Sequence, residues 1–153
     1  MRETVMKHAW LTFRRNERGS VLIEMALTLP IMLLVSAGIF EFGRAYQTWQ
    51  VVTNAVREGA RIAVLPGIDD ASVTTRVRTY MSDGQLPNYS TATVTITRND
   101  TIAIGAGTAS ASRITVNYPF TFMVLQPIAL LVDPHSTAGS PLTMTVSALM
   151  RNE

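Results

Sequence analysis

The twenty residues 21–40 (VLIEMALTLPIMLLVSAGIF) hold one ionisable side chain, Glu24. A bilayer asks for about 20 apolar residues in a helix that rises about 1.5 Å per residue. A run of this length and composition therefore predicts a transmembrane helix. Two neighbouring features fit that reading and raise a question. Pro30 should kink the helix, which membrane helices tolerate better than soluble ones. Glu24 is a carboxylate near the start of the run, where burying a lone charge is costly. A secretory signal peptide has a shorter apolar core of about 7–15 residues and ends at a small-residue cleavage site. Here EFGR follows at 41–44 instead. Cleavage beyond Phe40, releasing a soluble secreted domain, is the remote alternative.

The rest of the composition supports a membrane-associated chain with room for one further domain. Of 153 residues, 47% are hydrophobic and 16% charged, the opposite of a disordered balance. The pI near 9.4 does not describe the whole chain. Arg2, Lys7, Arg14, Arg15 and Arg18 stand against Glu3 and Glu17 in residues 1–19, a net +3, while residues 20–153 carry a net −1. Basic residues ahead of an apolar run follow the positive-inside pattern and place residues 1–19 in the cytoplasm. A nucleic-acid-binding face would spread its basic side chains over a folded domain, so no nucleic-acid partner is expected.

Beyond residue 40 the pattern becomes amphipathic. Phe42, Ala45, Tyr46, Trp49, Val52, Val56, Ala60 and Ala63 recur at three- and four-residue steps. This predicts one helix over about 21–64, about 65 Å at ideal rise, whose second half buries that stripe. Tyr46 and Trp49 fall where interfacial aromatics belong, and core packing explains them equally well. Pro66 and Gly67 stop the helix. Asp69 or Asp70 caps a second helix over about 70–83, with Val73, Val77, Tyr80 and Met81 as its stripe and Gly84 as a left-handed end. The period then changes to two, which predicts strands at 91–98, 101–104, 113–118 and 142–150. Asn99 and Asp100 read as a turn, and GAGTASAS at 105–112 as a flexible loop. Residues 122–132 are apolar around Pro127. They read as a loop with a short helix over 127–132, its apolar load more core than partner surface. The expected fold is α+β: a long N-terminal helix, transmembrane in its first half and amphipathic in its second, packed on a small antiparallel sheet with a second short helix.

No catalytic constellation emerges. There is no Cys, so neither a disulfide nor a thiolate metal site is available. His8 and His135 lie far apart without ligand spacing. Asp69 and Asp70 suit a helix cap better than acid–base work, and GAGTASAS lacks the Lys of a phosphate loop. Neither enzyme activity, cofactor, metal nor small-molecule substrate is expected.

Counting from Gly19 answers the question raised by Glu24. If a peptidase cuts between Gly19 and Ser20, Glu24 becomes the fifth residue of the mature chain. A basic leader, a Gly and a Glu at that offset inside an apolar helix resemble the prepilin-peptidase site of type IV pilins. The freed amine on Ser20 is cationic near neutral pH. In a helical stack, the Glu24 carboxylate of one subunit can meet that amine on its neighbour. Charges desolvated together attract far more strongly than in water, so the pair would set subunit register. The alternative is a helix-end Glu, about 6 Å deep, that reaches water at the interface.

The stretch 14–67 (RRNERGSVLIEMALTLPIMLLVSAGIFEFGRAYQTWQVVTNAVREGARIAVLPG) resembles TadE-like pseudopilins of the tight-adherence (Tad, or Flp) pilus system. The matching pieces are the Gly19–Glu24 spacing, Leu29 with Pro30, EFGRAY at 41–46 and NAVREG at 54–59 with Ala60 and Arg61. ITVNYPF at 114–120 and the terminal strand ending MRNE also look like the family. The resemblance implies a pilin-like fold and a minor subunit without enzymatic activity, anchored in the inner membrane. It implies a prepilin peptidase, other pilins and the pilus assembly platform as partners, and a role in pilus assembly for adhesion. Residues 1–19 would be a cytoplasmic leader that is removed, 20–40 the transmembrane helix and 41–153 a periplasmic domain. A TadF-like assignment is the near neighbour. The competing function is a membrane-tethered periplasmic binding module that is never processed, with residues 122–132 docking its partner.

Overall fold

The computed structural model describes residues 17–152. Residues 1–16, most of the expected leader, lie outside the described residues. Among the described residues three helices and three strands follow in the order α1 (Glu17–Ala63), α2 (Asp70–Asp83), β1 (Thr93–Ile104), β2 (Gly107–Phe120), α3 (Leu125–Val132) and β3 (Leu142–Arg151). The fold class is α+β with a long N-terminal helix, as the sequence predicts. The chain divides into two compact units at residues 39 and 40.

In the first unit, α1 is apolar on all sides. From Ser20 to Ser36 every residue is exposed. The hydroxyls of Thr28 and Ser36 donate to the carbonyls of Glu24 and Met32, four residues back, at 2.9 and 2.8 Å. Polar side chains in such a helix thus satisfy themselves on its own backbone. A helix apolar all round belongs in lipid or among other apolar helices.

The second unit packs the rest of α1, then α2, against one face of the sheet. Its core joins Val52, Ala55, Val56, Ala60 and Ala63 of α1 with Val73, Val77 and Met81 of α2 and with Ile114, Val116, Tyr118 and Phe120 of β2. The buried stripe of α1 follows the one drawn from the sequence at Val52, Val56, Ala60 and Ala63, but departs from it in the turns before them. Phe42, Tyr46 and Trp49 are exposed, and Glu41, Thr48 and partly buried Ala45 take the inward positions. Stepping back from Val52 by four, seven and eleven residues reaches 48, 45 and 41 on one face. The aromatics sit round the helix from it. A polar residue at 41 and another at 48 disguised the true stripe.

Gly59 lets α1 and α2 approach: a Cβ there would lie 2.4 Å from Val77 Cγ2. Asp69 caps α2, accepting from the Ser72 amide at 2.9 Å. Gly84 does not supply a left-handed end. Its φ is −75°, and Gln85 takes the positive φ of 57°. Arg61 and Arg76 both reach Glu58, at 3.0 and 2.9 Å, which ties α1 to α2. These hydrogen bonds hold the Glu58 carboxyl down at about 2. Arg98 on β1 donates to the carbonyls of Ala63 and Ile68 and pairs with Asp70 at 2.7 Å, so one guanidinium closes the corner between the helices.

The sheet order is β1-β2-β3, antiparallel throughout. Inward residues face one another across the ladders: Val94 opposite Val116, Ile96 opposite Ile114, and Val116 opposite Val146. Here the strand expectations need correction. Asn99 and Asp100 are not a turn, and residues 101–104 do not fold back as a separate strand. β1 continues through a register shift between Thr97 and Asp100, with Asn99 at φ 61°. This is a bulge, and Asn tolerates the left-handed conformation it needs. The hairpin turns instead at Gly105 and Ala106, with Ile104 opposite Gly107 and Gly105 at φ 59°. Residues 107–112, expected as loop, form the start of β2. Their small side chains give little strand preference. Backbone pairing with β1, and from Ala111 with β3, supplies what propensity does not.

Candidate functional site

The residues singled out from the sequence occupy two separate places. Gly19, Ser20 and Glu24 lie in the first turns of α1. Ser20 and Glu24 are four apart on a helix, so they share a face one turn apart. Both are exposed, as are their apolar neighbours, with Val21, Leu22 and Ile23 at 56–70%. A Cβ built on Gly19 meets nothing within 4 Å. The backbone at the expected cut is therefore open on its glycine side. Beyond Glu24 this unit offers an apolar cylinder. It suits contact with lipid and with like helices.

Tyr46 and Trp49 lie three apart on α1 in the second unit and are exposed. Gln50 donates to the Tyr46 hydroxyl at 2.7 Å. Their exposure leaves them free for the interfacial role and removes them from the core.

The site that the sequence reading missed is built on Glu41. This residue ends the apolar run, yet its side chain is fully buried. Oε1 accepts from the backbone amides of Met123 and Val124 at 2.8 and 2.7 Å. Oε2 pairs with Arg44 at 3.1 Å. Arg44 also donates to the carbonyl of Thr121, and its guanidinium lies 4.6 Å from the centroid of the Phe120 ring, a cation–π distance. Phe120 meets Phe122 edge to face, with centroids 5.2 Å apart. Val124, the first flanking residue of α3, offers no side-chain cap. The carboxylate of Glu41 takes that place, where amides and helix dipole both favour an anion. Burial pushes the Glu41 carboxyl up. The Val124 amide, the Arg44 guanidinium and the Met123 amide outweigh it and hold the group below its ordinary value. One clue was legible: Glu41 and Arg44 stand at i and i+3 immediately after the apolar run. Their partners, 82 and 83 positions away, were not.

The expectation that residues 122–132 are mainly core also needs correction. Phe122 packs partly against the core. Of α3 itself, no residue is buried.

A family model described as TadE-like protein matches residues 19–61. It is the family the sequence resembles, and the match takes in Gly19, Glu24, Glu41, Arg44 and NAVREG at 54–59. The likenesses at 114–120 and at the last strand lie beyond it. No curated protein and no solved structure matches the chain.

Proposed function

We infer that this chain, TadE-like over residues 19–61, is a minor pilin processed by a prepilin peptidase between Gly19 and Ser20. Its family implies a pilin-like protein of a Tad pilus, structural rather than enzymatic in kind. Among the described residues one helix is long and apolar enough to cross a membrane, which supports a single-pass anchor. The observation that supports the finer reading is the spacing from Gly19 to Glu24 at the start of the apolar helix. The family match begins at Gly19, and Glu24 stands one helical turn beyond Ser20 on an uncovered apolar helix. In this reading residues 1–19 are a cytoplasmic leader and 20–40 span the inner membrane. Residues 41–153 form the periplasmic domain, and Tyr46 and Trp49 serve the interface. The freed Ser20 amine of one subunit pairs with Glu24 of the next as α1 joins other pilins on the assembly platform. The outer domain then primes or caps an adhesive pilus.

Gly19→Leu tests this. A Cβ at Gly19 meets nothing within 4 Å, so the substitution is expected to act on peptidase recognition rather than on packing. The chain is expected to keep its first 19 residues, seen as unprocessed mass in membrane fractions, and to yield no pili. Normal processing of Gly19→Leu would count against the assignment of the cut.

The second reading is a tethered periplasmic module that stays unprocessed. The exposure of Met123, Leu131 and Val132 favours it, since such a module would dock its partner there. It predicts that the chain keeps residues 1–19 and that Gly19→Leu changes nothing.

A further inference from the structure

From Pro119 to Val132 the chain has no ionisable side chain. Within this stretch α3 (LQPIALLV) exposes Ile128, Leu130, Leu131 and Val132, the last two at 87% and 83%. Met123, just before it, is 64% exposed. A helix of eight residues is marginal in water, and an apolar patch of this kind marks an interaction surface. Two contacts hold it in place. The Glu41 carboxylate binds the amides of Met123 and Val124. Gly139, at φ 72°, brings the following loop so close that a Cβ would lie 2.6 Å from the Gln126 amide nitrogen. Only glycine fits that approach and that φ.

The first contact also says what α3 faces. Glu41 is the first residue after the apolar run, so α3 begins within hydrogen-bond reach of the point where α1 leaves its apolar stretch. Phe42, Tyr46 and Trp49, exposed on the next two turns of α1, are the residue types that gather at the headgroup level. We propose that α3 lies in the boundary between lipid headgroups and acyl chains, as a second membrane contact of the chain. The proposal rests on reading 21–40 as a bilayer span. Its occupant is a lipid surface. Continuity with the span and the absence of charge favour that over a partner protein, whose contact would draw on a polar rim.

The chain has no Cys, so single labels report without background. Nitroxides are placed on Leu131→Cys and Val132→Cys in the full chain, reconstituted in vesicles of phosphatidylethanolamine and phosphatidylglycerol. Leu33→Cys serves as the span reference and Thr79→Cys, exposed on α2, as the aqueous one. The ratio of collision with oxygen to collision with a water-soluble nickel chelate is expected to be several-fold higher at 131 and 132 than at 79, approaching that at 33. Chelate access equal to that at 79 overturns the proposal, because α3 then lies in water. Shielding from both agents overturns it too, because a second copy or another subunit then covers α3. An aqueous reading at Leu33 as well would remove the span itself, and with it the seat of α3.

Discussion

Glu24→Ala is expected to leave processing after Gly19 intact and to abolish pili. In the proposed function the peptidase reads the chain around Gly19, while the carboxylate acts one step later, between subunits. In the proposed helical stack each Glu24 would have the Ser20 amine of its neighbour as counter-charge. Removing one member of a buried pair leaves the other uncompensated, at a cost of about 3–5 kcal/mol. That is about two to four factors of ten in the association constant at each subunit contact. A stack that repeats this contact amplifies the loss. Glu24→Gln preserves shape and removes charge, so it should fail in the same way. A merely tolerated helix-end carboxylate would let both variants assemble. Electron microscopy and the sheared surface fraction report the outcome, and pili of normal number with Glu24→Ala would sink the pairing.

Glu41→Ala is expected to destabilise the outer domain by about 3–5 kcal/mol, the cost of breaking a buried charge pair. The substitution leaves Arg44 without its partner and strands the amides of Met123 and Val124. Against the 5–15 kcal/mol that holds most domains together, this is a large share. For a domain of about 100 residues it lowers the melting temperature by more than about 10 °C. Thermal unfolding of the detergent-solubilised full chain, followed by circular dichroism, reads it, and an unchanged melt contradicts the account. The pH dependence has a definite sign. The folded carboxyl sits below its ordinary value of 4.5. Its contribution is therefore complete above the unfolded value and is lost as pH falls through the folded one. Glu41→Gln should flatten that acid limb.

Local features were legible and distant ones were not. The apolar run, the Gly19 to Glu24 spacing and the Asp69 cap each depend on residues within a few positions. The α+β class followed from a change of period after Pro87. Apart from the left-handed end of α2, which Gln85 takes in place of its neighbour Gly84, what failed was set by partners far along the chain. Small residues at 107–112 become strand because they pair with β1 and, from Ala111, with β3. Asn99 and Asp100 carry turn chemistry, but the register of Thr101–Ile104 against Gly107–Ser110 turns them into a bulge. The helix stripe was drawn through Phe42, Tyr46 and Trp49 because apolar residues normally face inward. Glu41 reverses that rule by finding two amides and a guanidinium inside.

The account turns on the end of the mature chain. The most direct measurement is the N-terminal residue of the protein isolated from its own cells, by intact mass and N-terminal peptide mass spectrometry. A chain that starts at Ser20 is the predicted result, and it supplies the amine that Glu24 needs. A chain that starts at Met1 or Arg2 would contradict the account, leaving Glu24 without that amine and the protein a tethered domain outside the filament.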